Sequence, residues 1–183
     1  MAACRLNLQL SLLSAVSLIL LLGHSLADSA PSKLIHDVCK EAGDYGTGFQ
    51  DCVDALAMDP RTSSASLKEL AHITLHLGIK HSTATQKFLK DLLQKVSEPA
   101  TENAVKQCAD WYEGATDSFR SASGELDMDV MTANYDARIA GDDVDNCQTS
   151  MAEGKIEIPE VSAGNSFVKT FSVIATVVTN HLY

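Results

Sequence analysis

Apolar residues recur every three or four positions along most of this chain, which is the spacing of one face of an α-helix. Two segments follow the pattern in strictly alternating steps of three and four. The first contains Val105, Cys108, Tyr112, Ala115, Phe119, Ala122 and Leu126, and the second contains Val130, Ala133, Ala137, Ala140, Val144, Cys147 and Met151. Such stripes are typical of helices that pack at a shallow angle, so the sequence predicts an all-α, up-down four-helix bundle.

Another long helix is predicted to precede these two. Ser66 and Glu69 have the spacing of a capping box, which marks a helix N-terminus. Its apolar stripe is Leu70, Ile73, Leu77, Ala84, Phe88 and Leu92, with Leu75 and Ile79 on a second face. We expect it to run to about Val96, because Pro99 is a residue favoured in the first turn of the following helix.

The last segment is apolar on much of its circumference. It carries Phe167, Phe171, Ile174, Val178 and Leu182, with Val168, Val173, Ala175 and Val177 beside them. A central helix of a bundle has this pattern, and a membrane-spanning helix is the alternative. Lys169 and Asn180 lie within the segment and the apolar run is short, so the pattern favours the bundle.

A short helical hairpin is predicted before the bundle. Apolar residues on either side of a glycine-rich stretch at 43–48 form two brief helical patterns. Cys39 lies on the first piece and Cys52 on the second. A bridge between them would close the hairpin.

The N-terminus predicts export. Arg5 precedes an apolar stretch at 10–22, and Ser25-Leu26-Ala27 places small residues before a cleavage site at Asp28. These features are typical of a signal peptide at 1–27, and the apolar stretch is too short for a membrane anchor. The mature chain would then be a single domain at 28–183, secreted with no membrane attachment. The apoplast is its default destination, and the vacuole is the alternative.

The charge of the chain argues against nucleic-acid binding. The predicted signal peptide carries one arginine and no acidic residue, which leaves 13 basic and 24 acidic residues in the mature chain and a formal net charge of −11. A surface this acidic repels phosphate backbones and attracts basic partners. A solvated acidic face with no partner explains the same composition.

Four cysteines remain after Cys4 leaves with the signal peptide, and an even number in an exported chain predicts two disulfides. Cys108 lies 18 residues before Leu126 and Cys147 lies 21 residues after it. In an antiparallel pair of helices that turns near Leu126, these distances are about 27 and 31 Å, so the two cysteines lie at one level. Of the three connectivities, Cys39–Cys52 with Cys108–Cys147 needs the least rearrangement.

No catalytic apparatus is evident, and we assign no catalytic residue, cofactor or metal. His72 and His76 have the i, i+4 spacing of two metal ligands, but no third ligand is placed, and solvated histidines explain them better. Five aspartates cluster around the fourth segment: Asp127, Asp129, Asp142, Asp143 and Asp145. Paired carboxylates can hydrolyse glycosides, but a close-packed bundle offers no sugar cleft. We therefore interpret Asp142, Asp143 and Asp145 as a solvated face that could contact a protein partner.

An ordered set of motifs resembles the plant inhibitors of pectin methylesterase and invertase, over roughly Ser32 to Leu182. The set comprises the two cysteine pairs, Leu56-x-x-Asp59-Pro60-Arg61, Leu67-x-x-Leu70-Ala71, Cys108-x-x-x-Tyr112-x-x-Ala115, and Ala140 ahead of Cys147. The chain looks most similar to the pollen-allergen-type invertase inhibitors. The resemblance implies a hairpin and a four-helix bundle, disulfides between the first and second and the third and fourth cysteines, and stoichiometric, non-covalent blocking of a cell-wall or vacuolar enzyme.

Two departures from the family pattern bear on the target. The spacing between Cys39 and Cys52 is larger than in the commonest members, so the hairpin turn is enlarged. Invertase inhibitors of the family insert a Pro-Lys-Phe tripeptide into the enzyme, and Val130-Met131-Thr132 stands at that position here. The expected partner is therefore pectin methylesterase slightly ahead of invertase. A secreted binding or structural protein with no enzyme target is the alternative.

Overall fold

The computed structural model describes residues 31–183, so the predicted signal peptide at 1–27 and Cys4 lie outside the described residues. The elements in order are α1 (Lys33–Ala42), a 3-10 turn (Gly43–Tyr45), α2 (Phe49–Ala57), a second 3-10 turn (Pro60–Ser64), α3 (Leu67–Leu93), α4 (Pro99–Glu125), α5 (Val130–Glu153) and α6 (Pro159–Asn180). Residues 31–183 contain no strand. The all-α prediction is confirmed.

The four long helices form a closed bundle. Each packs against its neighbour in the chain, and α6 also packs against α3. The connections between them are short, which gives the antiparallel, up-down order that the sequence predicted. Both regular stripes face inwards: every member is buried except Val130, which is half-buried at the start of α5. Tyr112 and Phe119 of α4 are among the largest fully buried side chains and fill the centre of the bundle.

Helix α3 begins as predicted and differs in its later half. The Ser66 hydroxyl and the Glu69 carboxylate cap each other's backbone N–H groups, so the capping box is confirmed. The helix ends at Leu93 rather than near Val96. Ala84, assigned to the apolar stripe, is exposed. The buried face is centred instead on Thr74, Gly78 and Ser82, which are small or polar and were passed over by a search for large apolar residues.

The N-terminal hairpin explains why α6 is apolar nearly all round. Helices α1 and α2 pack against each other and against α6 on the side away from the bundle core. Residues 170–179 of α6 are consequently buried without interruption. Among the described residues, α6 alone is long and apolar enough to be a candidate membrane span, and 67% of its apolar window is buried within the protein. Phe167 departs from the prediction, since it lies at the edge of this packing and is 39% exposed.

Two disulfides fasten these parts together. Cys39–Cys52 joins α1 to α2 across a sequence separation of 13 residues, and Cys108–Cys147 joins α4 to α5 across 39. The four cysteines are fully buried. This is the pairing that the sequence favoured, and the second bridge fixes the register in which the two central stripes meet.

Candidate partner-binding surface

The three acidic residues proposed as a contact face do not point in one direction. Successive residues of a helix are rotated by 100°, so Asp142 points directly away from the core, whereas Asp143 and Asp145 lie on opposite flanks of α5. Asp142 and Asp145 are exposed, and Asp143 is half-buried. Asp145 forms an ion pair with Lys169 of α6, which neutralises its charge. The free acidic charge of this group is therefore confined to Asp142 and Asp143.

Asp143 lies against the backbone of α4. A Cβ built on Gly114 would lie 2.8 Å from Oδ2 of Asp143, so the absence of a side chain at Gly114 is what lets the carboxylate settle between the two helices. Burial, with the neighbouring charge of Asp142 as a second cause, raises the pKa of Asp143 to about 6. This carboxyl therefore changes its charge in mildly acidic solution, where ordinary surface carboxylates stay ionised.

The histidines do not assemble a metal site in the described part of the chain. His72 Nε2 lies 3.4 Å from Asp127 Oδ1, and the same oxygen accepts from Lys68 Nζ at 2.7 Å. His76 is exposed. No group of three or more histidine, cysteine or acidic residues within 31–183 has metal-binding geometry. The Asp127 cluster is instead an ion pair that ties the start of α3 to the turn between α4 and α5.

His81 takes part in packing rather than in ligation. Its ring lies against Phe171, with centroids 5.1 Å apart, and is stacked on Phe167 at 5.6 Å. Burial, with a smaller contribution from the charge of Lys80, lowers the pKa of His81. The ring helps to seal the contact between α3 and α6.

Sequence reasoning missed an exposed apolar stripe at the opposite end of α5 from its disulfide. Met128, Met131 and Tyr135 are 77%, 68% and 62% exposed. Met131 and Tyr135 are one helical turn apart on the face of α5 opposite the buried stripe, and Met128 precedes them in the turn. The i, i+4 spacing of Met131 and Tyr135 is present in the sequence, but it lies beside the more regular stripe of buried residues and does not by itself indicate exposure. We call these three residues the methionine–tyrosine stripe.

The stripe includes Met131, which lies in the segment that corresponds to the Pro-Lys-Phe tripeptide of the invertase inhibitors. Val130-Met131-Thr132 forms the first turn of α5, and the Asp129 carboxylate caps it by accepting from the backbone N–H of Thr132 at 3.1 Å. Thr132 also donates its hydroxyl to Asp129 at 2.8 Å. This segment is thus an ordinary capped helix start that presents Met131 to solvent.

Comparison with known proteins identifies the family. The model of the plant invertase/pectin methylesterase inhibitor family matches residues 33–178. The chain belongs to this family. A protein of Platanus acerifolia named "Putative invertase inhibitor" is 25% identical over 152 residues, which cover 81% of this chain and 85% of that protein. A pectinesterase inhibitor of Actinidia deliciosa is 27% identical over 157 residues, covering 85% and 82% of the two chains.

The fold of this family member is also that of a solved relative. The crystal structure of a mutant form of a pectin methylesterase inhibitor from Arabidopsis superimposes with a TM-score of 0.66 at 27% identity, covering 72% of this chain and 88% of that one. The family assignment made from the motifs is therefore confirmed, as is the helical bundle. The relatives named here are inhibitors of enzymes, which agrees with the lack of a catalytic assignment in this chain.

Proposed function

We propose that this protein is a secreted inhibitor of a plant pectin methylesterase and blocks its target by docking non-covalently, one molecule to one. Membership of the inhibitor family supports the general activity. The preference for pectin methylesterase rests on one observation, the first turn of α5. Val130-Met131-Thr132 offers no lysine or phenylalanine there, so the insertion used by invertase inhibitors lacks its side chains.

We place the docking contact at the methionine–tyrosine stripe. Interfaces are enriched in tyrosine and methionine at their centres and carry polar groups at their rims. Met131 and Tyr135 supply an apolar centre on a rigid helix, and exposed carboxylates at Asp127 and Asp129 flank it. Preformed helical geometry lowers the entropy lost on association, because few groups need ordering.

We assign the unpaired carboxylates elsewhere on α5 to long-range attraction of the enzyme rather than to the buried part of the interface. Asp142 is exposed and Asp143 is half-buried, while Asp145 is engaged with Lys169. Long-range attraction to a basic enzyme accelerates encounter and is screened by salt, with a Debye length of about 10 Å at 0.1 M. The association rate with a basic pectin methylesterase is therefore expected to fall as salt is added. A rate independent of salt would remove the steering role of these carboxylates.

A paired inhibition assay tests the proposal. The oxidised chain without its predicted signal peptide is titrated against a plant pectin methylesterase and a plant acid invertase at mildly acidic pH. Saturable loss of pectin methylesterase activity with invertase unaffected is the expected result. Inhibition of invertase alone would show that the protein is an inhibitor but that its target is invertase rather than pectin methylesterase. Inhibition of neither enzyme by folded, oxidised protein would contradict the proposal and favour a binding protein without an enzyme target.

A further inference from the structure

A groove of about 480 Å³ lies between the hairpin turn and the connection from α5 to α6. Its walls come from residues 46–51, from the end of α5 and from the first half of α6. The side chains of Met151 and the half-buried Ile156 contribute apolar surface to it. Its volume falls within the range of about 300–1,000 Å³ that is usual for small-molecule sites.

Three nearly buried polar side chains line this groove with unused hydrogen-bonding capacity. Thr47, Asn165 and Thr170 are only 7%, 6% and 8% exposed. Tyr112 donates its hydroxyl to Asn165 Oδ1 at 2.8 Å, so this oxygen is occupied in a residue that lines the groove. Within residues 31–183, neither the Asn165 amide nitrogen nor the hydroxyl of Thr47 or Thr170 makes a hydrogen bond to another protein group.

The other buried threonines behave differently. Each of them donates its hydroxyl to a backbone carbonyl oxygen; they are Thr62, Thr74, Thr116, Thr176 and Thr179. No side-chain nitrogen or oxygen that is completely sealed from solvent in the described chain lacks a partner. The unpaired atoms of Thr47, Asn165 and Thr170 are therefore the ones that remain accessible, and they are accessible from the groove. Water pairs with these atoms in the free protein, and a ligand with matching donors and acceptors can take its place.

The chemistry of the lining defines the ligand. The amide nitrogen of Asn165 only donates, the two hydroxyls both donate and accept, and the carboxylates of Asp51 and Glu157 at the rim only accept while ionised. Lys169, the one cation of the lining, is engaged by Asp145. A fitting ligand carries closely spaced donors and acceptors and no negative charge. The adjacent hydroxyls of a sugar meet both conditions.

We propose that this groove binds a neutral mono- or disaccharide. The sugar hydroxyls pair with Thr47, Asn165 and Thr170, and its C–H surface packs on Met151 and Ile156. A metal ion fits poorly, because Asn165 presents a nitrogen donor while its oxygen is held by Tyr112. This site lies on a different part of the molecule from the methionine–tyrosine stripe and involves none of its residues.

The test is a nuclear magnetic resonance titration of the ¹⁵N-labelled, oxidised chain without its predicted signal peptide. Methyl glucoside, sucrose and galacturonate are the probes, each added up to 100 mM. The expected result is saturable shifts of the amides at Thr47, Asn165 and Thr170 with a neutral sugar, and binding at least tenfold weaker with galacturonate. Because the free protein is used, the result does not depend on enzyme inhibition.

Variants separate sugar binding from a general effect of solutes. Thr170→Val keeps the side-chain volume and removes an unpaired hydroxyl, so the fold is retained while the affinity for sugar falls at least fivefold. Thr83→Val, an exposed threonine of α3 outside the groove, is the matched control and leaves the affinity unchanged. No saturable shift with either neutral sugar would overturn the proposal and leave a groove filled by water. Equal binding of galacturonate would overturn the selectivity for neutral sugars, and an unaltered affinity in Thr170→Val would place the sugar outside this groove.

Discussion

The environment of Asp143 makes the stability of the protein depend on pH in an unusual direction. A carboxyl whose pKa is raised on folding binds more protons in the folded than in the unfolded chain between its two pKa values. With a pKa near 6 in the folded state, against an ordinary value of 3.8, its contribution to stability declines as the pH rises between about 4 and 6. Most paired carboxylates act in the opposite sense.

Asp143→Asn tests this account. Removing the charge without changing the shape is expected to raise the free energy of unfolding at pH 7 by about 1 kcal/mol, a value reduced for solvent screening of a half-buried group. The gain should vanish at pH 4, where Asp143 is already protonated. Urea denaturation at both pH values measures it, with Asp110→Asn as an exposed control on α4. Equal gains at both pH values would rule out the raised pKa as the cause.

The methionine–tyrosine stripe yields a second residue-scale prediction. Replacing both Met131 and Tyr135 by alanine should weaken inhibition of the target about 10- to 100-fold or more, the usual loss when central interface residues are truncated. Both side chains are exposed, so the melting temperature is expected to stay within a few degrees of the wild type. Met58→Ala, which removes an exposed methionine at the end of α2, is the matched control. Inhibition that survives in the double variant would place the contact elsewhere.

At the scale of the helices, close approach of α3 and α4 depends on a missing side chain. A Cβ at Gly78 would lie 2.6–2.8 Å from three ring atoms of Phe119, and Phe119 is fully buried. The ring cannot move without disturbing the centre of the bundle. Gly78 is therefore a packing requirement, although glycine inside a helix is unfavourable in itself.

Gly78→Ala and Gly124→Ala should therefore have opposite effects. The first is expected to lower the free energy of unfolding by about 1–3 kcal/mol, the cost of overpacking a core. The second adds a Cβ near the end of α4, where no atom apart from the chain neighbours and the nearby backbone of the same helix lies within 4 Å. It should stabilise by up to about 1 kcal/mol through helix propensity. Thermal and urea denaturation of the two variants measure both signs. Stabilisation by Gly78→Ala would contradict the close packing of Phe119.

Sequence periodicity predicted the helices well because apolar residues, large or small, recur in unbroken steps of three and four on the inner faces of α4 and α5. It misplaced the centre of α3, where Thr74, Gly78 and Ser82 are buried and Ala84 is not. Gly78 sits at that centre because the ring of Phe119 fills the space. A pattern of apolar residues in one helix carries no information about a ring on its partner. The sequence also did not predict that the hairpin packs against α6, although the apolar residues all round α6 indicate that another element must bury its outer face.

The candidate site was less predictable than the fold. The cysteine pairing followed from counting residues along two antiparallel helices. Side-chain partners did not follow in this way: the sequence places Asp145 beside Asp142 and Asp143, whereas in the folded chain it forms an ion pair with Lys169 of α6. The unpaired hydroxyls of Thr47 and Thr170 could not be anticipated, because they depend on segments brought together only in the folded chain.

For the whole molecule, the two disulfides should contribute to different extents. In the chain-entropy model a bridge over a short loop stabilises by about 3 kcal/mol and one over a loop of about 40 residues by about 4 kcal/mol. In Cys39→Ala/Cys52→Ala the free energy of unfolding is expected to fall by about 3 kcal/mol. The hairpin should then open more often, so that amide hydrogen exchange around Thr47 becomes faster. Cys108→Ala/Cys147→Ala should lose more and destabilise the whole bundle. Equal, global loss in both variants would contradict the view that the hairpin is an appendage of α6.

The claim that the molecule as a whole is a stoichiometric inhibitor is tested most directly by a tight-binding titration. Purified plant pectin methylesterase, at a concentration well above the expected dissociation constant, receives increasing amounts of the oxidised chain, and activity is followed alongside the mass of the complex. The account predicts a linear fall of activity to near zero at one equivalent, together with a 1:1 complex. Full activity at several equivalents, or a complex that leaves the enzyme active, would contradict it.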